Sequence, residues 1–184
     1  LPPTTWPFPT TSIGNQLREV ARLIRVRSQM GPGRQVFFCS IGGFDTHSSQ
    51  MGTHANLLRD LSQALSAFAY ATLDLGLAGN ITTFTQSEFS RTTQTNGTGT
   101  DHAWGGHHMV IGGAVQGGLY GSTPDYILGG DMDTSNRGAW IPTIGSVQFG
   151  ATLGRWFGAT PTELVWAFPD LVNFPAADLG FMRA

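Results

Sequence analysis

One stretch of this chain limits its fold more than any other. His54, Leu57, Leu58, Leu61, Leu65, Phe68 and Leu73 fall on one stripe between about residues 51 and 75. That spacing predicts an amphipathic helix. Before it, Gln35 to Ile41 is a short apolar run bounded by turn residues, which suits a buried strand. After it, Asp74 to Asn80 closes the helix with glycines, and Asn80 to Thr85 is rich in β-branched residues. Strand, helix and strand at this spacing predict a βαβ unit, and hence a parallel sheet.

The remaining elements are read the same way. Residues 1–12 are rich in proline and threonine and form an extended lead-in. Residues 13–184 are read as a single α/β domain. Leu17, Val20, Ala21 and Ile24 predict a first helix, with Asn15 as its N-cap and Met30-Gly31-Pro32-Gly33 as its end. Residues 86–107 form a long polar loop, and loops of that length are functional or disordered. Met109 to Ile111 predicts a third strand. Val147 to Phe157 predicts a helix capped by Ser146 and stopped by Gly158. Thr160-Pro161-Thr162-Glu163 is a capping box that starts a last helix near Leu164 to Phe168.

Composition excludes several classes. A chain of 184 residues can bury a core, and its net charge of -2 gives no electrostatic argument for nucleic acid. All ten cations are arginine, so amine nucleophiles and Schiff-base chemistry are excluded within this chain. Cys39 stands alone and allows no internal disulfide. No apolar run is long enough to span a membrane. The chain opens Leu1-Pro2-Pro3 without methionine, which suggests a processed or cut product, so an export signal could have been lost.

All five histidines lie between residues 47 and 108. One block is Gly42-Gly43-Phe44-Asp45-Thr46-His47, followed by His54. The other is Gly99-Thr100-Asp101-His102, followed by His107 and His108. Carboxylate and neutral imidazole are the donors that zinc prefers. In an open α/β sheet, ligands gather beyond the carboxyl ends of strands. Asp45 and His47 follow the first expected strand, and Glu88 and Arg91 follow the second. Asp45 and His47 are therefore candidate metal ligands, against a turn-capping aspartate with a surface histidine. Asp101 and His102 are candidates of the same kind. His107 and His108 are adjacent and point to opposite sides of a strand, with His108 the one facing the site. His54 reads as a core or helix-start histidine. Glu88 and Arg91 form a supporting ion pair, or Arg91 holds an anionic substrate through its planar fork.

These motifs are specific in combination. The Gly42–His47 block, Ser87-Glu88-Phe89-Ser90-Arg91-Thr92, and Asn96 with Gly99-Thr100-Asp101-His102 resemble the bacterial family catalogued as domain of unknown function 1501. Gly105-Gly106-His107-His108, Gly112 to Gly118, Tyr120-Gly121, Gly138 to Thr143 and the Gln148–Gly158 helix continue the resemblance. It runs in order from about residue 12 to about 158.

Members of that family look like relatives of the alkaline phosphatase and sulfatase superfamily. The resemblance implies a parallel-sheet, alkaline-phosphatase-like α/β sandwich, of which this chain is an incomplete, C-terminal portion. It implies divalent metal ions, zinc foremost, in a two-metal site when complete, and hydrolysis of phosphate or sulfate esters. Asp45, His47, Asp101, His102 and His107 or His108 would be its metal ligands. The superfamily usually separates its first Asp and His further than Asp45 and His47. Its nucleophile comes from an earlier strand absent here, and Cys39 lacks the surrounding Pro and Arg of a sulfatase nucleophile motif. A partner polypeptide, or a missing N-terminal half, is therefore expected to complete the site. A periplasmic or secreted location is implied by the same resemblance. The alternatives are a non-catalytic exported binding or structural protein, or a metal-binding accessory subunit.

Overall fold

The computed structural model describes residues 6–31 and 33–183, so Leu1–Thr5 of the lead-in, Pro32 and Ala184 lie outside the described residues. The chain packs as two compact units. One takes the residues up to Ile81 together with Thr95–Asp101, and the other takes Thr82–Gln94 and the residues from His102 onward.

The first unit is built on two helices, α1 (Ser12–Arg25) and α2 (Gln50–Asp74). Ile13, Leu17, Val20, Ala21 and Ile24 recur at helical spacing on α1 and pack on Ala64, Phe68 and Ala71 of α2. Burying side chains of this size stabilises by about 1.5–3 kcal/mol each, which makes this cluster the main support of the unit. The cap of α1 is Thr11, whose Oγ1 accepts from Gly14 N at 3.3 Å. Asn15, the expected cap, lies inside the helix, because Ile13 already belongs to the buried stripe. The helix ends at Arg25, earlier than Met30, and a short 3-10 turn covers Arg27–Gln29. On α2 the expected stripe is only partly buried. Leu61 and Leu65 reach the core, whereas Leu58 and Leu73 are exposed and small alanines form the contact face.

The segment 35–41 has the shape of a strand without a ladder. Phe37, Cys39 and Ile41 pack on the helical core, while Val36 and Phe38 are 77% and 91% exposed. This period-2 alternation is what the sequence dictates. Ser40, however, exchanges hydrogen bonds with a side chain: its N–H donates to Gln16 Oε1 at 2.9 Å and its carbonyl accepts from Gln16 Nε2 at 2.8 Å. No strand pairs with 35–41 among the described residues.

The fold is mixed α/β, but every ladder among the described residues is antiparallel. In the second unit β1 (Thr82–Phe84) pairs with β4 (Val110–Gly112), and β2 (Ser90–Arg91) pairs with β3 (His102–Ala103). The expected parallel βαβ pairing is corrected accordingly. The strand after α2 takes its neighbour from beyond the long loop, and the two run in opposite directions. The loop itself folds back to form β2 and β3.

The C-terminal helices α3 (Ser146–Phe157) and α4 (Pro161–Ala167) follow their local signals. Gly145, not Ser146, caps α3, its N–H donating to Gln148 Oε1 at 3.0 Å. Gly158 ends α3 at φ 103°, a conformation glycine adopts without a Cβ clash. Thr160 and Glu163 form the expected reciprocal box, which holds the Glu163 carboxyl below its usual range. Ala151, Leu164 and Leu171 are the buried centre of this region.

Two further devices order the second unit. Asp133 is buried, and its carboxylate accepts from the N–H groups of Gly129, Ser135, Gly138 and Ala139 at 2.9–3.1 Å. Burial works to raise its pKa, but these four bonds win and hold it far below the usual carboxylate range. Trp140, also buried, donates its indole N–H to Thr93 Oγ1 at 2.6 Å. Among the described residues no helix is long and apolar enough to cross a membrane.

Candidate metal centre

In the first unit, two loops are joined by neutral hydrogen bonds. The first is the connection into α2, carrying Asp45, Thr46 and His47. The second is Thr95–Asp101. Thr100 N donates to Thr46 O at 3.2 Å, and Gln50 N donates to Thr98 O at 2.9 Å. The Gln50 side chain adds a bond to Thr100 Oγ1 at 2.9 Å. Within the second loop, Asn96 N and Thr95 Oγ1 both donate to Gly99 O. Gly99 N donates back to Asn96 Oδ1 at 3.1 Å.

Gly99 is what lets the loops meet. A Cβ there would lie 2.3 Å from the carbonyl carbon of His47 and 2.4 Å from Thr46 O. Backbone sits on both sides of this approach, so only the absence of a side chain allows it.

The junction gathers three of the expected site residues. His47 Nε2 lies 2.9 Å from Asp45 Oδ1, and His47 Nδ1 lies 3.4 Å from Asp101 Oδ1. Asn96 Nδ2 donates to that same Asp101 oxygen at 2.9 Å. Each imidazole nitrogen thus faces a carboxylate. A carboxylate at one ring nitrogen orients an imidazole so that the other nitrogen can serve as a donor to a cation. The donor set of two carboxylates and an imidazole is the chemistry zinc and related divalent ions accept. All three side chains are partly exposed, so an ion could reach them from solvent.

The other expected residues lie in the second unit. His102 follows Asp101 in the chain and opens β3, opposite Arg91 of β2. Its ring stacks on Phe89, with centroids 3.8 Å apart and planes 14° from parallel. The Arg91 guanidinium carbon stands 5.8 Å from the centre of the same Phe89 ring. Glu88 is exposed, at a bend that precedes β2, and Arg91 lies on β2 opposite His102. His108 packs on Phe149 at 5.7 Å between centroids, and burial, reinforced by the charge of His107, pushes its pKa down. A hydrogen bond to the Thr85 backbone works against that shift. His107 is exposed. In the first unit, His54 meets Phe44 edge-on at 5.5 Å, in keeping with a packing role. Cys39 is half-buried, and desolvation pushes its thiol pKa up.

Sequence reasoning gave no role to Gln50, Thr98 or Thr100, and did not pair Asn96 with Asp101. The glycine-flanked Asn96-Gly97-Thr98-Gly99 turn was the available signal. Its docking partner lies on a distant loop and leaves no local trace.

No curated protein and no solved structure matches the chain. A family match covers residues 10–135, more than half of the chain and inclusive of Asp45, His47, Glu88, Arg91, Asp101, His102 and His108. The chain belongs to the family described as Protein of unknown function (DUF1501).

Proposed function

We propose that Asp45 and His47 bind a divalent metal ion, zinc by donor chemistry, through Asp45 Oδ1 and His47 Nε2, with Asp101 behind the imidazole at Nδ1. The observation that carries this reading is His47, with Asp45 Oδ1 2.9 Å from Nε2 and Asp101 Oδ1 3.4 Å from Nδ1. Asn96 would keep Asp101 turned toward His47, as partners behind metal ligands commonly do.

The reaction proposed for this site is hydrolysis of phosphate or sulfate esters, of the alkaline phosphatase and sulfatase type. A bound metal supplies a Lewis acid for the ester oxygen and lowers the pKa of bound water. Arg91, opposite His102 on paired strands, would hold the anionic ester through its guanidinium. The nucleophile would come from another polypeptide or from a further segment of the precursor. The same completion would supply the parallel sheet: the exposed Val36 and Phe38 mark 35–41 as the strand to be joined. An exported location, periplasmic or secreted, belongs to this reading.

The test is zinc titration of the intact protein, followed by assay on a panel of phosphate and sulfate esters. Asp101→Ala is expected to weaken zinc binding about tenfold or more. Arg91→Ala is expected to raise KM while the metal stays bound. A protein that binds no divalent metal sinks the whole reading. Metal binding without hydrolysis, in the protein together with whatever co-purifies, sinks the esterase and leaves a metal-binding accessory role.

A further inference from the structure

Asn96-Gly97 is the one place in the sequence where glycine follows asparagine. The other asparagines precede Gln16, Leu57, Ile81, Arg137 and Phe174. Asparagine ahead of glycine is chemically labile, because no side chain shields the glycine nitrogen from the asparagine side-chain carbonyl carbon. Both residues are exposed, and nothing lies within 4 Å of a Cβ built at Gly97. The structure needs each of them. Gly97 sits at φ 126°, a conformation that side chains rarely adopt, and Asn96 is the residue that donates to Asp101.

The docked loop restrains the reacting atoms. The nucleophile, Gly97 N, donates to Thr95 Oγ1 at 3.0 Å. The amide under attack is pinned at both ends: Asn96 Oδ1 accepts from Gly99 N at 3.1 Å, and Nδ2 donates to Asp101 Oδ1 at 2.9 Å. The backbone is tied as well, with Asn96 N donating to Gly99 O at 2.9 Å. Swinging Cγ onto Gly97 N and releasing Nδ2 requires these side-chain bonds to break.

We propose that Asn96 is a deamidation site gated by the junction of the two loops. Closed, the junction protects it; open, it reacts. Gly97 N bonds to Asn96 Cγ as the Cγ–Nδ2 bond breaks. The Gly97 amide proton goes to the leaving nitrogen, which departs as ammonia. Water then opens the cyclic imide at either carbonyl, leaving aspartate or isoaspartate, and nothing is oxidised or reduced. The new carboxylate has no N–H to donate and sets a negative charge against Asp101, so a steadying bond becomes a repulsion. Isoaspartate also reroutes the backbone inside the Asn96–Gly99 turn. The change therefore runs one way. Site and gate stand apart from the metal proposal; only the consequence for zinc rests on it.

The intact chain is held in mildly alkaline buffer with and without urea, and conversion is followed by peptide mass spectrometry. In urea, Asn96 should convert first among the asparagines. In the native protein its rate should fall about tenfold or more, because its hydrogen bonds must open first. Gly99→Ala forces the loops apart and should return the native rate toward that in urea. Thr95→Val removes the hydroxyl that holds Gly97 N and should speed conversion more mildly; it carries the test if Gly99→Ala does not fold, as read by circular dichroism. Equal rates with and without urea overturn the gate. Faster conversion of another asparagine in urea overturns the site. If neither folded variant converts faster than the wild type, the junction does not control the reaction. Deamidated wild type, separated by ion exchange, should bind zinc about tenfold or more weakly. Unchanged affinity overturns the consequence drawn for Asp101. An untreated protein that binds no zinc sinks the metal reading instead, and the conversion rates alone then decide this one.

Discussion

Replacing Gly99 with alanine tests the junction of the two loops directly. The new methyl would lie 2.3 Å from the His47 carbonyl carbon, 2.4 Å from Thr46 O and 2.5 Å from His47 O, whereas ordinary contacts begin at 3.4 Å. The loops must therefore separate by about 1 Å, and neither side can yield by rotating a side chain. Overpacking of this kind costs about 1–3 kcal/mol. The Thr100–Thr46 bond, already 3.2 Å long, would be lost for about 1 kcal/mol more. The sum, about 2–4 kcal/mol, lowers Tm by about 5–15 °C in a chain of this size. Calorimetry measures the fall, and zinc titration should show a parallel loss of affinity as Asp101 moves away from His47. Gly79→Ala is the control, because nothing lies within 4 Å of a Cβ there. A Gly99→Ala protein that melts with the wild type and binds zinc equally well would refute the argument.

Two further outcomes follow from packing and charge. Phe68, 4% exposed between α1 and α2, should cost about 3–5 kcal/mol when cut to alanine, read from the urea midpoint; a loss under about 1 kcal/mol would remove it from the core. His108 has its pKa lowered in the folded state, so the folded form disfavours the proton relative to the unfolded chain. Its contribution is complete above the ordinary imidazole value of 6.5 and is lost as pH falls below it. Melting curves between pH 7.5 and about 5 should flatten in His108→Phe relative to the wild type; identical pH slopes would exclude the effect.

What the sequence made legible was local. The Thr160–Glu163 box and the Gly158 stop depend on residues a few positions apart, and both form as their chemistry requires. The alternation in 35–41 was equally legible, since each residue's face follows from its neighbours. Which strands pair was not. β1 and β4 are joined across the whole long loop, and nothing in either segment specifies the direction of its partner. The N-cap of α1 was misplaced for a related reason: the buried stripe begins at Ile13, where a single apolar residue after Thr10-Thr11-Ser12 gives little periodicity to read. The division of the long loop, with Thr95–Asp101 packed beside residue 46 and its flanks in the other unit, had no compositional mark at all.

The candidate site separates these two kinds of information. Asp45, His47 and Asp101 were visible as residue types in glycine-flanked blocks. Their meeting depends on bonds between Thr100 and Thr46 and between Gln50 and the 98–100 stretch, all of them neutral. Neutral bonds are insensitive to salt and to pH in the range where carboxylates and imidazoles titrate. The scaffold of the site and its charge are therefore carried by different groups. Asp101 is partly exposed, accepts from Asn96 and faces His47, and exposed charged pairs of this kind add only about 0–1 kcal/mol to folding, so cutting it to alanine is expected to act on metal affinity more than on stability. Gly99 has no donor atom to offer a metal, yet its replacement acts on both. A titration and a melt performed on these two variants distinguish ligand from scaffold. An outcome in which Asp101→Ala unfolds the protein as severely as Gly99→Ala would mean that the carboxylate, not the backbone junction, holds the loops together.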